Sequence, residues 1–199
     1  MIATKSERTR QRILDSAARM FRQQGYGARL TDIAAEADLR AGSLYYHFDS
    51  RESLVEEVLR LGVEMAWQHV RAALDALPAD ATPVQRLEAA IRAHASAVLE
   101  ISDYTAANSR IFSMATEEVR KRHYVLQQDY GAYFHDLMAA AAVAGELRAD
   151  VDLPTVRMLM FGAMNWTAEW YRPDRGRPPQ LVIDQLVDMV LRGLRADTA

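Results

Sequence analysis

The sequence predicts an all-α protein of nine helices, and three observations carry that prediction. Apolar residues recur at a spacing near 3.6 along almost the whole chain. Prolines and glycines fall almost only at the junctions between these periodic stretches. No stretch alternates apolar and polar residues as a half-buried strand would, and no internal repeat is visible. The first helix is expected to start near Ser6, whose hydroxyl can cap it, to bury Ile13, Leu14, Ala17, Met20 and Phe21, and to stop at Gly25. Two short helices follow near 30–37 and 41–47, then a long one over about 50–77 that ends at Pro78. The fifth helix spans about 83–101, the sixth 103–115 and the seventh 116–145. A linker, 146–153, precedes Pro154 at the head of the eighth helix, which reaches Tyr171 and is closed by Pro173. A turn-rich loop over 172–179 leads to the ninth helix, about 179–195.

At 199 residues, half of them apolar, the chain can bury a sizeable core as one domain or as a small domain fused to a larger one. The absence of cysteine excludes a disulfide framework and thiolate metal sites. The N-terminus turns charged at Lys5 with no apolar signal region, and no run approaches the roughly 18 apolar residues of a membrane span. A cytoplasmic protein with no membrane partner is expected. The net charge of −3 argues at first against nucleic acid, but its distribution does not. Residues 1–51 hold nine basic and six acidic side chains, and the remainder holds 15 against 21. An electropositive head on an acidic body suits docking on DNA by one end.

The short helices near 30–37 and 41–47 cannot bury a core alone, so Ile33, Ala34, Ala37, Leu39, Leu44 and Phe48 must pack on the helices around them. At 100° per residue, Gly42 and Tyr46 lie opposite Leu44. Ser43 and Tyr45 flank that outer face, while His47 and Phe48 lean back toward the protein. Glycine, hydroxyls and phenols allow close backbone approach, phosphate hydrogen bonds and stacking on sugar or thymine methyl groups. A helical hairpin with incidental tyrosines would show the same spacing.

The string Asp32-Ile33-Ala34-Ala35-Glu36-Ala37, then Gly42-Ser43-Leu44-Tyr45-Tyr46-His47-Phe48, then Ser50-Arg51-Glu52, strongly resembles the N-terminal domain of TetR-family repressors. The motif covers residues 6–55; beyond it the likeness rests on helix count and length. The resemblance implies a DNA-binding helix-turn-helix domain over 1–49 and a ligand-binding and dimerisation domain over 50–199. It places the second helix as a positioning helix and the third in the major groove of a palindromic operator read by a homodimer. Carried over by position, Ala41, Gly42 and Tyr45 approach base edges, while Thr31, Ser43, Tyr46, His47 and Arg51 contact phosphates. The chain departs from the pattern at three points. The segment from Gly25 to Leu30 is one residue short, and Arg29 and Arg40 stand where Ser or Thr caps are usual. Arg40 either reaches a phosphate or base edge or is a solvated turn residue. Ala41 offers only an apolar contact, which leaves sequence preference to Arg40, Tyr45 and arm residues such as Arg8 and Arg10.

In the body, Val156, Met160 and Ala163 on the eighth helix and Ile183, Val187, Val190 and Leu194 on the ninth form apolar stripes. The ninth helix is wet on one strip only and must bury two faces, for which the resemblance supplies a four-helix dimer interface. Helices four to eight carry His94, Tyr104, Phe112, Met114, Tyr130, Phe134, Met164, Trp166 and Trp170, a set that as a whole could wall an apolar ligand pocket, although each alone reads more readily as core. The run Asn165-Trp166-Thr167-Ala168-Glu169-Trp170-Tyr171-Arg172-Pro173 resembles the end of the eighth helix in TetR-family repressors of fatty-acid or steroid-ring degradation. That likeness implies an acyl-coenzyme A effector, with Arg157, Arg172, Arg175 and Arg177 at hand for its phosphates. Arg120, Lys121 and Arg122 are less available, because Glu117–Lys121 and Glu118–Arg122 are spaced as i,i+4 pairs. The alternative effector is a hydrophobic drug sensed by the repressor of an efflux system, and a reading of a different class is an interaction protein without DNA binding.

No catalytic residue, metal or cofactor is expected. His94, His123 and His135 lack metal-ligand spacing, and no HExxH, EF-hand, glycine-rich phosphate loop or nucleophile elbow is present.

Overall fold

The computed structural model describes residues 4–196, the Pro173 side chain excepted. Among the described residues there are nine α-helices: α1 Lys5–Gln24, α2 Leu30–Glu36, α3 Ala41–Leu44, α4 Arg51–Asp75, α5 Pro83–Ser96, α6 Asp103–Ile111, α7 Glu117–Val143, α8 Leu153–Trp170 and α9 Pro179–Leu194. The only β pairing among them is an isolated bridge, Leu147 to Arg195. None of these helices is long and apolar enough to cross a membrane. The cap of α1 is Thr4 rather than Ser6: Glu7 N–H donates to Thr4 Oγ1 at 3.2 Å and Thr4 N–H to the Glu7 carboxylate at 2.6 Å. The expected fifth helix stops short, its last turn relaxing into the π-helical segment Ala97–Ile101, and α6 hands over to the 3-10 turn Phe112–Met114. The third helix keeps α geometry for a single turn.

The chain forms two compact units. The first takes in the described residues up to Glu64 together with Ser102–Leu126, and the second takes in Met65–Ile101 with the described residues from Gln127 onward. The head unit thus takes in, beyond the helix-turn-helix segment, the first half of α4, all of α6 and the start of α7. Its core gathers Ile13, Leu14 and Phe21 of α1, Ile33 and Leu44 of the short helices, Val58 and Leu59 of α4, and Ile111 and Val119. Side-chain hydrogen bonds seat α6 on α4. Thr105 Oγ1 donates to Gly62 O at 3.0 Å, and Asn108 Nδ2 to Leu59 O at 2.8 Å. On its other side, α6 reaches α1 through Tyr104 Oη donating to Asp15 at 2.6 Å and the Arg22–Asp103 ion pair at 2.7 Å. In the second unit α5 packs on α9 and α8. Arg92 pairs with Asp184, and Val84 N–H donates to the Glu146 carboxylate at 2.7 Å.

Each unit buries one histidine in the neutral state. His123 Nε2 faces the Asn108 Nδ2 donor at 3.1 Å, and burial pushes its pKa down to about 4. His94 lies between Tyr130 Oη at 2.9 Å and Asn165 Oδ1 at 3.0 Å, and burial lowers it likewise to about 4, against a smaller opposing effect of the Asn165 hydrogen bond. Nε2–H donates to Asn165 and Nδ1 accepts from Tyr130, so the neutral ring is fully satisfied.

Two outcomes follow from this packing. A Cβ on Gly62 would sit 2.6 Å from Tyr104 O, so Gly62→Ala should force α4 and α6 apart and lower stability by about 1–3 kcal/mol in urea melts. Gly193→Ala, with open space around its Cβ, should be neutral or slightly stabilising. The second outcome concerns pH. Between their ordinary pKa of 6.5 and the folded value of about 4, both histidines bind a proton only when unfolded. Stability should therefore fall as pH drops through that window, by up to about 1.4 kcal/mol per pH unit for each ring. Urea melts at pH 7, 6 and 5 on His94→Gln and His123→Gln should show shallower slopes than the parent chain.

Candidate functional site

The first unit builds a tight corner from α2 and α3. Asp38 takes a φ of 54°. Its N–H donates to Ala35 O at 3.0 Å and that of Leu39 to Ala34 O at 2.8 Å, a double closure that ends α2 within one residue. Arg12 of α1 donates to Ala37 O, and Arg19 pairs with Glu36 at 3.0 Å, so α1 holds the corner from behind. Leu44 and Phe48 are buried, and both His47 N–H and Phe48 N–H return to Leu44 O at 2.9 Å. Residues 45–47 are thereby fixed as a turn that continues the course of α3. Neither Arg29 nor Arg40 caps its helix through its side chain. Arg29 instead grips Asp32 at 2.9 Å, which holds that carboxyl below the usual range.

The outward face is the one the spacing describes. Tyr46 is 82% exposed and Tyr45 58%, and Thr31, Arg40, Ala41 and Gly42 are exposed beside them. Ser43 and His47 are half-buried, the His47 ring meeting Tyr46 edge-on at 5.1 Å. Arg51 turns the other way. Its guanidinium donates to Tyr26 O and to Ala28 O at 3.3 Å and lies 4.2 Å over the Tyr26 ring, so it fastens the segment before α2. Arg10 is likewise engaged, with Glu57 at 3.0 Å and over the Phe48 ring at 4.9 Å. Among the described residues of the head, Lys5, Arg8 and Arg40 have no carboxylate within ion-pair distance.

The residues expected to wall one ligand pocket separate. His94, Tyr130, Phe134 and Met164 are buried in the second unit, where Phe161, unremarked in the sequence, completes an aromatic cluster at 4.9 Å from Phe134 and 5.4 Å from His94. Tyr104 belongs to the core of the first unit, Phe112 packs half-buried against that core, and Met114, in the same unit, is exposed. Trp166 and Trp170 are exposed on α8. The apolar stripes also resolve differently. Met160, Ile183, Val187 and Leu194 are buried within the chain's own core, and Val156, Ala163 and Val190 are half-buried. The exposed apolar side chains are their neighbours: Met158, Leu159, Trp166 and Trp170 on α8, Leu181 and Met189 on α9. A strong, regular stripe is what the chain's own core takes first. The expected Glu118–Arg122 pair gives way to Arg122–Glu56 at 2.6 Å, while Glu117–Lys121 forms at 2.7 Å.

Comparison with known proteins agrees with this anatomy. Residues 13–58 match the profile of bacterial regulatory proteins of the tetR family, and residues 80–194 match the tetracyclin repressor-like C-terminal domain. The HTH-type transcriptional repressor KstR2 of Rhodococcus jostii is 30% identical over 193 residues, covering 93% of this chain and 90% of that protein. The structure of the ketosteroid transcriptional regulator KstR2 of Mycobacterium tuberculosis superposes with a TM-score of 0.77 at 26% identity, over 99% of this chain and 98% of that one. AibR, solved with isovaleryl coenzyme A and operator DNA, shares the fold with a TM-score of 0.79 at 23% identity, over 91% and 97% of the two chains. The chain belongs to the tetR family of bacterial regulatory proteins and is a DNA-binding transcriptional repressor of that family.

Proposed function

We propose that the chain acts as a homodimer on a palindromic operator and is released from it by a small hydrophobic effector, an acyl-coenzyme A thioester before other classes. The observation that carries the reading is the exposed surface of Arg40, Ala41, Gly42, Tyr45 and Tyr46 on a corner braced by α1. Tyr45 and Tyr46 present rings and hydroxyls to base edges and phosphates, Gly42 admits the backbone closely, and Arg40, free of any carboxylate in the described chain, is available to phosphate or a guanine edge. Thr31, Ser43 and His47 border the same surface. Support for the dimer comes from Leu159, Trp166 and Trp170 along α8 with Leu181 and Met189 on α9, large apolar side chains exposed on the two terminal helices. Support for an acyl-coenzyme A comes from the 165–173 run, from the exposed Arg172, Arg175 and Arg177 that follow it, and from the capacity of this fold to hold such a ligand together with DNA in AibR.

Fluorescence anisotropy with the chain's own promoter DNA tests the interface. Tyr46→Ala should abolish specific binding with an unchanged melting temperature, and Arg40→Ala should weaken it about tenfold. Binding by the parent chain should fall steeply as salt rises. Equal affinity of Tyr46→Ala and the parent chain would sink this placement. For the dimer, Trp166→Glu should yield a folded monomer by light scattering and lose operator affinity, whereas Val187→Glu, directed at a side chain only 3% exposed, should unfold the chain.

A further inference from the structure

Within the second unit, polar side chains of the aromatic cluster satisfy one another, as the His94–Tyr130–Asn165 relay does. Two groups do not. Trp67 Nε1 on α4 and Arg157 Nε on α8 are buried and have no hydrogen-bond partner among the described residues. Both border the same turn of α7. The Trp67 ring lies 5.6 Å from that of Tyr130 and 6.1 Å from that of Tyr133. Arg157 Nη1 lies 2.8 Å from where a Cβ of residue 131 would stand, so Gly131 is what lets the guanidinium rest on the helix backbone. Arg157 forms no ion pair with the described residues, and a second cation, Arg71, stacks over Trp67 at 4.7 Å.

A buried N–H without an acceptor costs free energy, on an indole as on the Nε of a half-buried arginine. Groups left this way inside a packed chain call for an acceptor from outside it. The unmatched atoms are both donors, and His94 is neutral, so the missing partner is an acceptor oxygen. Beside them Tyr130, Phe134 and Phe161 offer ring faces and edges to hydrocarbon.

We infer that Trp67 and Arg157 receive an acceptor oxygen of the effector, a carboxylate or a thioester carbonyl, with the attached hydrocarbon against Tyr130, Phe134 and Phe161. This rests on the reading of the chain as a repressor released by an acyl effector. The test uses the full-length chain on its operator DNA and three probes: octanoyl-coenzyme A, octanoic acid and coenzyme A alone. Arg157→Met and Trp67→Phe should bind operator like the parent chain without probe. Each should need about tenfold more octanoyl-coenzyme A for half-release. Arg157→Lys should recover part of the response, and the probe-free melting temperature of Arg157→Met should hold or rise. Release by octanoic acid as well identifies a carboxylate acceptor; release by the thioester alone identifies the carbonyl. Variants that respond like the parent chain overturn this inference and leave the acyl reading standing, whereas release by coenzyme A equal to that by its thioester overturns both. A clear drop in the melting temperature of Arg157→Met makes the guanidinium a structural group and also overturns the inference. A parent chain released by none of the probes overturns the acyl reading and the inference together.

Discussion

Thr105 and Asn108 each donate a side-chain hydrogen bond to a carbonyl of α4 that already serves its own helix, and the head is built around that contact. A carbonyl oxygen has two lone pairs, so Gly62 O and Leu59 O can hold the α4 ladder and α6 at once. The backbones come close enough only because residue 62 lacks a Cβ. With α6 in place, α1 is held from the far side by Asp103 and Tyr104, and α1 in turn braces the corner of α2 and α3 through Arg12 and Arg19. Helices of seven and four residues are too short to be stable by themselves. Their geometry is borrowed from longer elements, one of them far along the chain.

This explains what could be read from the sequence and what could not. Helix positions follow from local signals, namely apolar period, proline and glycine, and these place all nine helices to within a few residues, the shortened fifth excepted. The corner at 30–48 is also local, because its motif is contiguous. The membership of α6 in the head is not local: nothing in residues 103–111 says which core they join, so Tyr104 reads as a pocket residue when it is head core, and Phe112 after it packs on that same core. Arg51 misleads for another reason, since a guanidinium suits a phosphate and a backbone carbonyl equally well, and only the fold presents Tyr26 O to it. On α9 the most regular stripe, Ile183, Val187 and Leu194, is consumed by intrachain packing. The sparser face with Leu181 and Met189 is left outside.

Counting charges along the head overstates the cations it can offer. Arg10, Arg12, Arg19, Arg22 and Arg29 each have a carboxylate partner inside the first unit. What remains outward is a small set in which Arg40 stands beside a glycine and two phenols. A surface with few free cations and several neutral hydrogen-bonding groups gains less from non-specific phosphate attraction and depends more on fit.

Of the 24 lysine and arginine residues, only Lys5 and Lys121 are lysines. Arginine also serves this chain as mortar: Arg12, Arg51, Arg110 and Arg120 donate to main-chain carbonyls at helix ends and turns. A guanidinium keeps its proton at any pH a cell meets, and acetyltransferases that modify lysine amines do not act on it. The positive charge of the head and the braces that shape it are therefore closed to lysine acetylation, Lys5 and Lys121 apart. Control by covalent charge removal, open to lysine-rich DNA-binding proteins, has almost no foothold in this sequence.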